Sequence, residues 1–261
     1  MAEIHHLLAA NQSTAPDKRP VQPRVLVLGG GGPLGSAVLE ALLGKQDHAA
    51  VAVAATQKIN PTVRGLVALP DDDAQWREFA PTAAVIVLDR QRQANGRDDA
   101  FMAPQPPQLV ALAQRARQAG ACSLVVAVPH TAALMPQALM RGLASLDEGA
   151  VARLDFSHLV FMRMAQAGDV GGGGHGAKGS VLERLAAWVL RQLHWMVPAT
   201  EQPVRTSTVA DVVAELVAAL PTAQAGTRVM PPSVLWHAAQ GQHLPTLLQL
   251  WLAGRELPVL R

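Results

Sequence analysis

Apolar residues occur in short unbroken runs that alternate with segments in which they recur every three or four positions. Unbroken runs of four to eight apolar residues are typical of strands buried on both faces, and the wider spacing is typical of amphipathic helices. The pattern predicts strands at 25–28, 49–55, 66–69, 83–88, 124–128 and 159–164. It predicts helices at 34–43, 74–79, 106–119, 136–153, 180–197, 209–220, 233–240 and 246–253.

This alternation predicts an α/β fold with a doubly wound parallel Rossmann-type sheet, because parallel strands need crossover helices and these connections are right-handed. Residues 23–261 suit a single domain of this kind. After the sixth strand the pattern is mostly helical, which predicts a small C-terminal lobe from about 166 to 261. Residues 1–22 are polar and predict a flexible N-terminal arm, with docking onto a partner subunit as the alternative.

Four consecutive glycines separate the first strand from the first helix, in the stretch VLVLGGGGPLGSAVLEALL. Two dinucleotide-binding spacings fit equally well: Gly30-x-Gly32-x-x-Gly35 and Gly29-x-x-Gly32-x-x-Gly35. Glycine allows the sharp turn and the close approach of a pyrophosphate, and the helix N-terminus attracts the anion. The predicted cofactor-binding residues of this loop are Gly29, Gly30, Gly32, Pro33, Leu34 and Gly35.

The end of the second strand bears on which dinucleotide is bound. An NAD site usually has an acidic residue about 20 positions past the glycines, where it binds the ribose 2′-hydroxyl. Here the strand reads VAVAAT without an acid, and the cations Lys58 and Arg64 follow. The sequence therefore favours NADP(H) as the cofactor, with NAD(H) as the alternative. The further predicted cofactor contacts are Thr56, Lys58 and Leu88, the last residue of the fourth predicted strand.

Composition excludes several other classes of protein. Apolar residues make up 49% of the chain, charged residues 16%, and the formal net charge is +2, so nucleic acid is not an expected partner. The N-terminal residues lack the pattern that predicts a signal peptide, and no apolar stretch is long enough to predict a membrane span. The chain has one cysteine, Cys122, which fits a cytoplasmic location. Paired His or Cys residues at ligand spacing are missing, so no metal is expected.

Several segments together resemble a known family. They are GGGGPLG, LVALAQRARQAGACSLVVAV, DEGAVARLDFSHLVFMR, VRTSTVADVVAELVAAL and MPPSVLWHAAQ. In this order they resemble the atypical short-chain dehydrogenase/reductases, and most of all the branch of the Tat-interacting oxidoreductase-like and NmrA-like proteins. The resemblance runs from about Arg24 to Leu220, with MPPSVLWHAAQ beyond that range also similar to this branch near its C-terminal end. It implies an NAD(P)-binding Rossmann fold.

The resemblance also implies a degenerate active site. Members of this family normally use a Tyr-x-x-x-Lys pair, in which the tyrosine moves a proton and the lysine lowers its pKa. The two positions fall at Met140 and Ala144, and the chain contains no tyrosine. The family serine after the fifth strand is missing too, and His130 stands near its place as a candidate proton donor.

Two functions remain open, and the loss of three catalytic roles favours the first. One is a non-catalytic dinucleotide-binding protein, such as a redox sensor, an assembly factor or a regulatory subunit. The alternative is an NADPH-dependent quinone or carbonyl reductase with a non-standard proton donor. The apolar helix predicted at 180–197 contains Trp188 and Trp195, so it either packs within the C-terminal lobe or binds a partner protein.

Overall fold

The computed structural model describes residues 22–45, 47–57, 59, 63–88, 98–130, 146–165 and 204–255. These residues form a seven-stranded sheet in the order β3-β2-β1-β4-β5-β6-β7, and every pairing is parallel. The strands are β1 (Arg24–Leu28), β2 (Ala50–Ala55), β3 (Leu66–Pro70), β4 (Ala83–Val87), β5 (Ser123–His130), β6 (His158–Ala165) and β7 (Gly226–Met230). The strand order reverses between β1 and β4, which defines a doubly wound Rossmann-type sheet.

Helices cover both faces of this sheet. Within the described ranges they are α1 (Gly32–Gly44), α2 (Asp73–Phe79), α3 (Leu109–Gln118), α4 (Leu146–Ala152), α5 (Thr206–Ala219), α6 (Pro232–Ala239) and α7 (Leu244–Leu252). None of the helices described is both long enough and apolar enough to cross a lipid bilayer.

Alternate residues of each central strand supply two separate cores. Val25 and Val27 of β1 pack with α1, α5, α6 and α7 on one face of the sheet. Leu26 and Leu28 point the other way and pack with α2, α3 and α4. Successive side chains of a strand face opposite sides, so a run without polar residues requires helices on both faces.

The six predicted strands and most of the predicted helices are present, with boundaries shifted by a few residues. The sequence pattern did not predict β7, because this edge strand carries Thr227 and Arg228 and buries few of its side chains. The predicted helix at 136–153 is described only over Leu146–Ala152. Residues 1–21 of the predicted arm, and the whole helix predicted at 180–197, lie outside the described residues.

The described residues after 204 extend the layers of the sheet. Helix α5 packs along α1 on one face, and Lys45 at the end of α1 forms an ion pair with Glu215 of α5. Helices α6 and α7 pack against α5, and β7 pairs with β6. Helices α5, α6 and α7 therefore cover the same face of the sheet as α1.

Candidate functional site

The glycine loop lies at the point where the strand order reverses. Residues Gly29 to Gly31 leave the carboxyl end of β1 and lead directly into α1. Strand β1 is paired on one side with β2 and on the other with β4. In open parallel sheets, ligands bind in the crevice outside the carboxyl ends of the strands at such a reversal.

Gly29 and Gly35 are required by the backbone itself. Gly29 has a φ of +97°, and a Cβ there would lie 2.5 Å from the carbonyl oxygen of Val87. A Cβ on Gly35 would lie 2.0 Å from the carbonyl oxygen of Gly29. The first turn of α1 therefore packs against the end of β1 more closely than any residue with a side chain allows.

The two glycines between them differ in what constrains them. Gly32 has a φ of +76°, in the left-handed region that glycine adopts without strain. At Gly30 a Cβ would lie 2.4 Å from Cγ2 of Val53 and 3.0 Å from Cδ1 of Leu39. The sequence left two spacings open. The positive φ values and the closest backbone approach coincide with the spacing Gly29-x-x-Gly32-x-x-Gly35, and Gly30 is needed for packing.

Helix α1 begins without a side-chain cap. Its N-cap is Gly31, proline occupies its first turn, and that turn contains no acidic residue. The positive end of the helix dipole is therefore not neutralised by a carboxylate of the same turn. Pro33 is exposed and Leu34 is buried in the core, so the side chain of Leu34 contributes packing.

A segment that follows β4 crosses this edge of the sheet. We call residues 98–104 the crossing segment. It runs antiparallel to the end of β2, with a bridge between Ala55 and Phe101. The amide of Met102 donates to the carbonyl of Ala54 at 2.9 Å. The segment also contacts the glycine loop, since a Cβ on Gly29 would lie 3.1 Å from Cδ of Pro104.

Thr56 and Leu88 lie near the loop, and each forms a hydrogen bond within the fold. The Thr56 hydroxyl is exposed and donates to the carbonyl oxygen of Asp99 at 2.8 Å. The amide of Leu88 donates to the carbonyl of Ala127 at 3.0 Å, and its side chain is buried in the core beneath α2 and α3.

The structure places Arg64 at the edge of the sheet opposite the glycine loop. Arg64 precedes β3, and because β3 is parallel to β2, this residue lies at the amino-terminal edge of the sheet. It lines a cleft of about 460 Å³ together with Leu43 and His48, where burial lowers the pKa of His48 below its ordinary value. Arg64 therefore cannot meet a group bound at the glycine loop. Lys58 lies outside the described residues.

The remaining predicted residues are only partly described. His130 is the last residue of β5, paired with Ala165, and so its backbone lies at the same edge as the glycine loop. Met140, Ala144 and the helix predicted at 180–197 lie outside the described residues. Among the residues that the structure describes, no group of three His, Cys, Asp or Glu side chains could hold a metal ion.

Sequence reasoning did not single out the crossing segment or its Asp99. The segment follows a polar stretch after β4 and has no periodic pattern of its own. Its antiparallel bridge joins residues far apart in the chain, so no local signal reveals it.

Comparison with solved structures finds similar folds. The Bordetella bronchiseptica enzyme WbmG in complex with NAD and UDP is 18% identical, with 94% of this chain and 83% of that chain covered and a TM-score of 0.48. UDP-glucose 4-epimerase from Brucella ovis in complex with NAD is 16% identical, with coverage of 80% and 77% and a TM-score of 0.43. The oxidoreductase ylbE from Lactococcus lactis is 14% identical, with coverage of 84% and 98% and a TM-score of 0.44.

No protein-family model matches the chain, and no curated protein matches its sequence.

Proposed function

We propose that this protein binds a nicotinamide dinucleotide, with the pyrophosphate on the glycine loop at the N-terminus of α1. The observation that carries the proposal is the backbone of the loop. Gly29 and Gly32 have positive φ values, and Gly35 lets the helix begin against the end of β1. This arrangement lies where the strand order reverses, which is where such sheets bind dinucleotides.

The loop fits the chemistry of a pyrophosphate. An anion at a helix N-terminus is stabilised by backbone amides and by the helix dipole. The first turn of α1 contains neither an acidic residue nor a side-chain cap that would compete for that position. Backbone amides would thus stabilise the negative charge of the pyrophosphate, with no lysine or arginine required in the loop.

A non-catalytic role fits the residues at the family's catalytic positions. A bound nicotinamide supplies hydride chemistry, and a reductase also needs a group that moves a proton to or from the substrate oxygen. The chain has no tyrosine, and the family positions hold Met140 and Ala144. We infer a cytoplasmic redox sensor, assembly factor or regulatory subunit that responds to its dinucleotide. The helix predicted at 180–197 is the proposed contact for a partner protein.

Calorimetry with NADPH and NADH tests the binding proposal. Gly32→Asp places a side chain and a negative charge where the pyrophosphate would lie, so we expect affinity to fall at least about tenfold. Gly44→Asp makes the same change at the other end of α1, where a Cβ meets nothing within 4 Å, and should bind as the wild type does. Equal affinities for the wild type and Gly32→Asp would contradict the proposal.

A preference for NADP(H) over NAD(H) is the finer proposal. It rests on the end of β2, which lacks an acidic residue, and on Lys58, which could pair with a 2′-phosphate. Lys58→Glu should reduce the ratio of NADPH affinity to NADH affinity. A wild-type protein that binds NADH more tightly than NADPH would contradict this part of the proposal.

The alternative is an NADPH-dependent quinone or carbonyl reductase with His130 as proton donor. It is supported by the position of His130 at the carboxyl end of β5, the edge that carries the glycine loop. General acid catalysis contributes about 10²–10⁴-fold to a reaction rate. If the protein is non-catalytic and lacks such an acid, as we propose, NADPH oxidation with quinones, aldehydes and ketones should be slow. Turnover at about 1–10³ per second that His130→Ala abolishes would instead establish the reductase.

A further inference from the structure

The crossing segment brings an acidic residue to the end of β2. Thr56 follows the last residue of β2 and occupies the place where an acidic residue would bind the adenosine ribose. Its amide donates to the carbonyl of Ala100 at 2.9 Å, and its hydroxyl donates to the carbonyl of Asp99 at 2.8 Å. These two bonds place Asp99 directly beside the end of the strand.

We propose that Asp99 weakens the preference of the site for NADP(H) over NAD(H), as the acidic residue that β2 itself lacks. The proposal rests on the function proposed above, since it names a residue of the same site. The carboxylate of Asp99 would accept a hydrogen bond from the 2′-hydroxyl of NAD(H) and repel the 2′-phosphate of NADP(H). Asp99 therefore limits the preference for NADP(H) that Lys58 favours.

The crossing segment holds Asp99 close to the glycine loop. Phe101, two residues further on, packs against the loop, since a Cβ on Gly30 would lie 3.5 Å from its Cδ1. Two residues of extended chain span at most about 7 Å, so the backbone of Asp99 lies within about 7 Å of the backbone of Phe101, whose ring contacts the loop. The main-chain bonds to Thr56 and Ala54 fix the segment in this position.

The carboxylate of Asp99 is available for a ligand. It is exposed, and no hydrogen bond or ion pair to another described residue holds it. By contrast, Asp71 and Asp73 are paired with Arg115 at 2.7 and 2.6 Å. The Thr56 hydroxyl donates to the backbone carbonyl of Asp99, which leaves the carboxylate of that residue free. A charged carboxylate is a stronger acceptor for a ribose hydroxyl than the neutral Thr56 oxygen is.

The test compares dinucleotide affinities in Asp99→Asn, which keeps the shape of the side chain and removes its charge. Calorimetry with NADH and NADPH at one ionic strength gives the ratio of the two affinities. We expect the ratio to shift towards NADPH by about tenfold or more, because a hydrogen bond to a charged group is lost and a repulsion is removed.

Asp155→Asn is the matched control. Asp155 is exposed, has a φ of +53° that asparagine also tolerates, and precedes β6 at the opposite edge of the sheet. Its affinity ratio should equal that of the wild type. An unchanged ratio in Asp99→Asn, with both dinucleotides still bound, would overturn the role of Asp99 and leave the proposed function intact. If the wild-type protein bound neither dinucleotide, both proposals would be wrong.

Discussion

Gly35 and Gly44 lie in the same helix but meet different surroundings. A Cβ at Gly35 would press against the carbonyl of Gly29, whereas a Cβ at Gly44 meets nothing within 4 Å. We expect Gly35→Ala to lower the free energy of unfolding by about 3 kcal/mol, because the helix must move away from β1. Gly44→Ala should leave it unchanged or raise it by up to about 1 kcal/mol.

Urea denaturation of the two alanine variants measures this difference. The pair separates the packing role of the loop from its proposed ligand role, since no dinucleotide is present in the experiment. Equal stabilities for the two variants would show that α1 can shift without cost.

At the residue scale, His158 also links stability to pH. Burial lowers the pKa of His158 below its ordinary value, and the charge of Arg228 lowers it further. The unfolded chain then binds a proton more readily than the folded chain does, so stability is lost as the pH falls below about 6.5. His158→Gln should flatten the fall in unfolding free energy between pH 7 and pH 5. A slope identical to that of the wild type would contradict this assignment.

At the scale of elements, a buried ion pair joins α4 to the sheet. Nη2 of Arg163 in β6 lies 3.0 Å from Oε2 of Glu148 in α4, and the two side chains are 1% and 7% exposed. A charge buried in this way is costly when its partner is removed. The pair therefore fixes the position of α4 over β6.

Glu148→Gln keeps the shape of the side chain and removes its charge. We expect it to lower the free energy of unfolding by about 3–5 kcal/mol, because the charge of Arg163 stays buried without its carboxylate. The double variant Arg163→Met with Glu148→Leu should recover most of this loss. Chemical denaturation checks both expectations, and a double variant as unstable as Glu148→Gln would show that the pair stabilises the fold beyond charge balance.

At the scale of the whole molecule, dinucleotide binding and folding are linked. A ligand that binds the folded chain alone raises its stability by about 2.7 kcal/mol at a free concentration of 100 times Kd. Increasing concentrations of NADPH should therefore raise the Tm of the wild type and of Gly44→Asp, as measured by thermal unfolding. Gly32→Asp should show a smaller rise over the same concentrations, because its affinity is lower. A Tm that rises equally in all three would place the ligand away from the glycine loop.

The sequence alone determined the strand, glycine loop and helix at the start of the fold. Residues 25–43 carry an unbroken apolar run, four glycines and a helical spacing, and each of these signals is local. The buried central strands were also predictable, because strands covered on both faces contain almost no polar residues. The lack of a tyrosine is likewise a property of the sequence.

The tertiary structure decided what depends on contacts between distant residues. Strand β7 is recognisable by its pairing with β6, since an edge strand can carry Thr227 and Arg228 at little cost. Arg64 is close to Thr56 along the chain, but the parallel direction of β3 places it at the opposite edge of the sheet. Asp99 is distant from Thr56 in sequence, and the hydrogen bond from the Thr56 hydroxyl brings it to the end of β2. Sequence distance did not predict these positions, because strand direction and non-local pairing determine which residues meet at one edge.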